Sequence, residues 1–201
     1  MRFIAIVFAI AFAAAPTCNS GGTCNQCGKQ PQEPISFPLE DFTLTERSGG
    51  KIGLDDLKGK VWVASFVFVR CAGPCPQVTA TMARLQAEDP DLQLVTFTID
   101  PTRDDPKELS NYAERYGADA KRWLFLTGDE EVIHRLSEKS FKLTAKRLPD
   151  AKPGFEFGHT SKLVVIDKQG NLRGYFDGKG EPAELTASLG QLKAMVNELN
   201  R

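Results

Sequence analysis

The stretch from Val61 to Cys75 constrains the fold more than any other. Val61-Trp62-Val63-Ala64-Ser65-Phe66-Val67-Phe68-Val69 is apolar at nearly every position, not at alternate ones. A strand built from it must be buried on both faces, as at the centre of an α/β sheet. Its valines and the nearby Gly59 favour strand over helix. Arg70-Cys71-Ala72-Gly73-Pro74-Cys75-Pro76 follows, and then Val78, Met82 and Leu85 recur at helical spacing until Asp89-Pro90. Two thiols four positions apart therefore sit at a strand-to-helix junction. First-turn amides and the helix dipole favour anions there, so both sulfurs are expected to ionise more readily than an ordinary cysteine of pKa ~8.5. On a helix, that spacing puts them on one face about 6 Å apart along the axis, within reach of a disulfide or of one metal ion.

The remaining elements extend an α/β pattern. Phe37 to Leu44 alternates, Ser48-Gly49-Gly50-Lys51 turns, and Ile52-Gly53-Leu54 returns, which predicts a hairpin. Leu92 to Ile99 is a second buried strand. Asp105, Pro106 and Glu108 give an N-cap, a first-turn proline and a capping-box partner for a helix through Tyr116, closed by Gly117. Trp123-Leu124-Phe125-Leu126 predicts a strand, and 130–139 a helix that buries Val132, Ile133 and Leu136. The stretch 141–158 has no clean period and contains Pro149 and Pro153, which predicts a long loop of the kind often found at functional sites. A strand at 161–167, a turn at 168–171, a returning strand at 172–176 and a helix from Glu181-Pro182 carrying Leu185, Leu189, Leu192, Val196 and Leu199 complete the chain. The expected architecture is an α/β sandwich with parallel central strands, an N-terminal β-hairpin and an antiparallel C-terminal pair. A cysteine motif directly after the first central strand is the arrangement of thioredoxin-like folds.

With 201 residues, 41% hydrophobic and 25% charged, the chain suits one folded domain plus a short extension. The formal net charge is -1 and no run of like charges stands out, so nothing favours nucleic acid or an anionic membrane surface. Arg2 precedes an apolar run, Phe3 to Ala15, that ends in Ala13-Ala14-Ala15. This has the form of a secretory signal peptide, with an uncleaved signal anchor as the alternative. The expected division is 1–15 signal, 16–34 flexible tether and 35–201 folded domain, with the domain exported. Five cysteines, Cys18, Cys24, Cys27, Cys71 and Cys75, are an odd number for an exported chain. Lipidation of Cys18 would leave two close pairs. Cys24-Asn25-Gln26-Cys27 has C-x-x-C spacing, but no second such pair or histidine pair completes a zinc site. A surface disulfide is its simpler reading, and a copper-relay or redox role the other.

Two thiolates side by side repel, and a bound cation removes that cost. Soft sulfur suits Cu(I), and an added imidazole makes a site that also holds Cu(II). There are two histidines. His159, in Phe157-Gly158-His159-Thr160, precedes a strand at the edge where a thioredoxin-like sheet faces its cysteine loop. Thioredoxin-type oxidoreductases commonly carry a cis-proline there; a histidine in its place is expected to supply a third ligand, its alternative being a hydrogen-bonded loop histidine. His134 lies on an amphipathic helix with no cysteine or second histidine at ligand spacing, and reads as a packing residue.

These blocks together resemble the Sco/SenC proteins, copper chaperones of cytochrome c oxidase assembly. The resemblance covers about residues 36 to 178 and rests on 66–76 around the cysteines, on Thr98-Ile99-Asp100-Pro101-Thr102-Arg103-Asp104-Asp105-Pro106, on Leu126-Thr127-Gly128, and on His159 with Val165-Ile166-Asp167-Lys168-Gln169-Gly170. It implies a thioredoxin-like fold, copper held as Cu(I) or Cu(II) by Cys71, Cys75 and His159, and a periplasmic or outward membrane-facing location. It also implies a copper-bearing oxidase subunit or related cuproprotein as partner. Asp100 matches the aspartate of the family's D-P-x-R-D block and is expected to tune the site from outside the ligand set, its alternative being a strand-end turn residue. Ala72-Gly73 stands where the family commonly has a proline and a larger residue. A thiol reductant is expected as a further partner, and a monomer as the working state. Two other activities use the same sulfurs. Cys71 and Cys75 could be the redox pair of a thiol:disulfide oxidoreductase that reduces a target's copper-ligand cysteines, or one of them a peroxidase cysteine.

Overall fold

The computed structural model describes residues 35–144, 146–158 and 160–201. The expected signal, tether, Cys18 and the Cys24/Cys27 pair lie outside the described residues, as does His159.

In chain order the elements are β1 (Phe37–Pro38), β2 (Thr43–Glu46), β3 (Lys51–Gly53), α1 (Leu54–Leu57), β4 (Trp62–Val67), α2 (Cys75–Glu88), β5 (Gln93–Thr98), α3 (Pro106–Arg115) and β6 (Trp123–Thr127). They continue with α4 (Glu130–Arg135), a π turn (Leu136–Ser140), β7 (Lys146–Arg147), β8 (Phe157–Gly158), β9 (Lys162–Ile166), β10 (Asn171–Asp177) and α5 (Pro182–Asn200). One sheet has the order β1-β10-β9-β4-β5-β6-β2-β3, and β7 with β8 forms a separate ribbon. The central strands β4, β5 and β6 are parallel, while β9 lies antiparallel to β4 and pairs in turn with β10. Parallel neighbours require crossovers, supplied by α2 between β4 and β5 and by α3 between β5 and β6.

Every residue of β4 and β5 is buried, as an unbroken apolar run between two neighbouring strands demands. Trp62 Nε1 is buried there without a hydrogen-bond partner among the described residues, but other trapped polar groups find one. Ser65 and Thr96 share a hydrogen bond of 2.9 Å, and Thr96 also accepts one from Trp123 Nε1 at 2.9 Å. Asp105 Oδ1 caps α3 through the Glu108 N–H at 2.8 Å, and Gly117 turns the chain away at φ +62°.

Three local expectations change. The alternating segment 37–44 is two pieces, with β1 pairing β10 at one edge of the sheet and β2 pairing β6 near the other. Five Cα-to-Cα steps link Pro38 to Thr43 and reach at most ~18 Å, whereas six strand spacings of ~4.8 Å would separate them in a flat sheet. The sheet must curl until its two sides approach, and alternation alone carries no information about which strand a segment joins. The helix at 130–139 opens into a π turn after Arg135, so that Phe141 N bonds Leu136 O at 3.0 Å. That wider turn delivers Phe141, fully buried, into the centre of the core, where it meets Phe66 edge-on at 4.9 Å and Phe97 at 5.5 Å. Finally, the stretch 141–158 is not wholly loop, since it contains the β7–β8 ribbon, paired Lys146 to Gly158 and Arg147 to Phe157.

Candidate metal centre

Cys75 is the first residue of α2, and Cys71 lies in the turn before it. The shared helical face expected from their spacing is therefore not the cause of their proximity. Gly73 precedes Pro74 and is steered away from helical geometry. Proline lacks an N–H, so Pro74 and Pro76 are tolerated only at the very start of the helix, where amides have no intrahelical partner. The loop is closed instead by Cys71 N to Phe68 O at 3.2 Å and by Gly73 N to the Cys71 sulfur at 3.4 Å.

No disulfide joins the two cysteines. Both are buried, Cys75 almost completely. The expectation that both ionise readily does not hold for Cys75. Its hydrogen bond with Cys71, its burial and the nearby charge on Cys71 push its thiol well above the ordinary range. Burial beside a second sulfur outweighs the helix dipole. Beneath Cys75, Thr79 Oγ1 donates to the Cys75 carbonyl at 2.9 Å and meets the Tyr112 hydroxyl at 2.7 Å. Burial raises the Tyr112 phenol, so it stays a neutral hydrogen-bonding group.

The loop after β5 holds the cysteine turn from the side. Asp104, 1% exposed, accepts from Val69 N at 3.0 Å and from Thr98 Oγ1 at 2.6 Å through one oxygen. It thereby pins the chain two residues before Cys71. Burial drives the Asp104 carboxyl up to about 6, although both hydrogen bonds oppose the rise. Asp100, also 1% exposed, accepts from Thr102 Oγ1 at 3.0 Å, from Arg103 Nε, and from Arg147 Nη2 at 3.2 Å. Its carboxylate thus faces two guanidinium groups. Arg147 also lies over the Phe157 ring at 4.6 Å, and Phe157 packs on Phe68 at 5.3 Å. Arg103 reaches further, from Nη1 to Glu156 Oε1 at 2.8 Å. That ion pair holds the Glu156 carboxyl below its usual range.

Cys71, Cys75, His159 and Asp100 are the site residues expected from the sequence. The structure brings the two cysteines together and sets Asp100 in the neighbouring loop. Among the described residues, no three His, Cys, Asp or Glu side chains gather to hold a metal, and the third expected ligand, His159, lies outside them. Strand β8 ends at Gly158, the residue before it. His134 Nε2 is 3.1 Å from the Ile99 carbonyl and its ring packs on Phe157, as expected of a packing residue. Arg70 is exposed. Asp104, Arg147 and Glu156 were not singled out as site residues from the sequence. Asp104 was findable within the D-P-T-R-D block, but no spacing marks Glu156 or Arg147.

Known proteins share this fold. A lipoprotein of the SCO1/SenC family from Bacillus anthracis superposes with a TM-score of 0.75 at 30% identity, covering 85% of this chain and 99% of its own. BsSco, described as a member of the Sco family of cytochrome c oxidase assembly proteins and carrying a disulfide switch, gives 0.68 at 29%, covering 84% and 98%. Bradyrhizobium japonicum ScoI, solved with copper bound, gives 0.60 at 25%, covering 77% and 99%. The fold is the thioredoxin-like one of these structures. Residues 31–194 match the SCO1/SenC family, and with the cysteine turn, the aspartate loop and the curled sheet in place, the chain belongs to that family.

Proposed function

We propose that the protein is a copper metallochaperone that binds one copper through Cys71, Cys75 and His159 and assists assembly of the CuA site of cytochrome c oxidase. The observation that carries this reading is the buried, hydrogen-bonded pair of sulfurs at the start of α2. Two soft donors in one place fit Cu(I), and an imidazole added to them fits Cu(II). The copper-bound Bradyrhizobium relative and the oxidase-assembly relative support the choice of metal and recipient. Copper supplies the positive charge that lets both sulfurs ionise together. The protein supplies the buried turn that presents them. Copper loading therefore expels the proton that Cys75 otherwise retains. Export, and a lipid anchor through Cys18, form part of the proposal, supported by the lipoprotein relative. Among the described residues no helix is long and apolar enough to cross a membrane.

The test is copper binding by the reduced protein and by His159→Ala in both valence states. Loss of Cu(II) binding with Cu(I) retained on the two sulfurs is expected. Unchanged binding of both would remove His159 from the ligand set. A second reading has its own support, since BsSco carries a disulfide switch and the two sulfurs here already touch. In it, one thiolate attacks a target disulfide and forms a mixed disulfide. The other then displaces the target's sulfur, leaving two target thiols and a Cys71–Cys75 disulfide. Transfer of reducing equivalents by copper-free protein, abolished in both Cys71→Ser and Cys75→Ser, would favour it.

A further inference from the structure

Ala72 sits between the two cysteines on an exposed part of the turn, yet its N–H donates to the Gly154 carbonyl at 3.0 Å. Gly154 is held in turn by its own N–H, which donates to Glu156 Oε2 at 2.8 Å. The other oxygen of Glu156 is gripped by Arg103, which is anchored on buried Asp100. The result is a strap running Asp100, Arg103, Glu156, Gly154, Ala72, with every link a hydrogen bond and two of them charge-assisted ion pairs. Gly154 is needed for two reasons. Its φ of +88° suits glycine, and a Cβ there would fall 2.7 Å from the Ala72 Cβ and 3.1 Å from the Ala72 nitrogen. The backbones can approach closely only because no side chain stands between them. Glu156 also lies on the chain leading directly into β8, whose next residue is His159. The strap thus ties the cysteine turn to the segment that precedes His159 in the sequence.

We propose that Glu156, gripped by Arg103, is a positioning residue of the copper site, fixing the turn between Cys71 and Cys75 against the strand that leads to His159. This inference rests on the ligand set proposed above. Two thiolates travel together on one turn and satisfy Cu(I) by themselves, whereas Cu(II) also calls on the imidazole of the proposed ligand set. Loosening the strap should therefore cost Cu(II) more than Cu(I). A solvent-exposed ion pair of no positional consequence would show no such bias.

The experiment compares the full chain with Glu156→Gln and Glu156→Ala. Glutamine keeps an oxygen for Gly154 N but loses the ion pair, and alanine loses both. Amide exchange at Ala72 in the reduced, metal-free protein reads the strap without any metal. It is expected to accelerate about tenfold or more in the alanine variant and less in the glutamine variant. Titrations with Cu(II) and Cu(I) are expected to show Cu(II) affinity falling about tenfold in the alanine variant while Cu(I) affinity stays within about twofold. Unchanged Ala72 exchange in a folded alanine variant would overturn the proposal. So would faster exchange with both copper affinities unchanged or falling equally, because the strap would then be only structural. If His159→Ala left wild-type Cu(II) binding intact, the ligand set would fail, while Ala72 exchange would still decide whether Glu156 holds the turn.

Discussion

Replacing Asp104 with asparagine should change how stability depends on pH. Asp104 is 1% exposed, with its carboxyl raised by burial from 3.8 to about 6. Below pH ~4 the group is protonated in both the folded and the unfolded chain. Between about 4 and 6 the folded protein still holds the proton and the unfolded chain has released it, so stability falls as pH rises through this window and is flat above it. At about 1.4 kcal/mol per tenfold in proton affinity, the rise corresponds to about 3 kcal/mol lost between pH ~4 and 7. Asparagine keeps an oxygen for the Val69 N–H and the Thr98 hydroxyl and carries no charge, so this component disappears. Urea unfolding of the reduced, metal-free protein at several pH values measures it. Subtracting the two profiles cancels the surface carboxylates, such as Glu156 and Asp119, whose lowered pKa values act in the opposite direction. The asparagine variant should gain on the wild type by about 3 kcal/mol from pH 4 to 7. A difference that stays flat would refute the claim that Asp104 is buried at a cost and retained for the hold it gives on the cysteine turn.

Other expectations follow from the same packing. Phe141→Ala removes the aromatic side chain that the π turn carries into the core and should cost about 3–5 kcal/mol by urea unfolding; a loss under 1 kcal/mol would mean that the site collapses freely. Thr79→Val strands the buried Tyr112 hydroxyl and should destabilise by about 1–3 kcal/mol. Adding Tyr112→Phe should recover much of that loss, and strict additivity of the two changes would show that they are not partners. Because the Cys75 thiol is held protonated, apparent copper affinity of the reduced protein should rise with pH, at about tenfold per pH unit or more between 6.5 and 8.5. A pH-independent affinity in competition titrations would contradict that electrostatic account. Gly154→Ala places a methyl against Ala72 in a left-handed backbone and should lower stability by about 1–2 kcal/mol or more, with Ala72 amide exchange accelerating in parallel.

The centre of this fold could be read directly from residue pattern, because continuous burial leaves little choice: β4, β5 and the helices that cross between them follow from apolar runs and caps. The edges could not. Phe37 and Leu44 share an alternating segment, but hydrogen bonding to strands far apart in sequence sends them to opposite sides of a curled sheet. Phe141 reaches the core through a change in helical turn that no periodicity announces. At the site, the two cysteines were legible from spacing. The reason for their approach was not, since it lies in a proline-governed turn before the helix. Nor was the ionisation of Cys75, which depends on burial beside its neighbour. Arg103, Glu156 and Gly154 act over fifty residues of separation, through contacts made only once the ribbon folds over the cysteine turn.

The central claim is that the sulfur pair carries copper to a recipient, and one measurement tests it most directly. The reduced protein, loaded with one equivalent of copper, is mixed with the copper-free CuA domain of an oxidase subunit whose cysteines are already reduced, and metal and thiols are followed separately. Copper is expected to move to the recipient while the recipient's thiol count stays constant, and transfer is expected to fail with Cys71→Ser or Cys75→Ser. This expectation would be contradicted if copper stayed on the donor while the copper-free protein reduced a disulfide-bonded recipient and left it ready to take copper from solution.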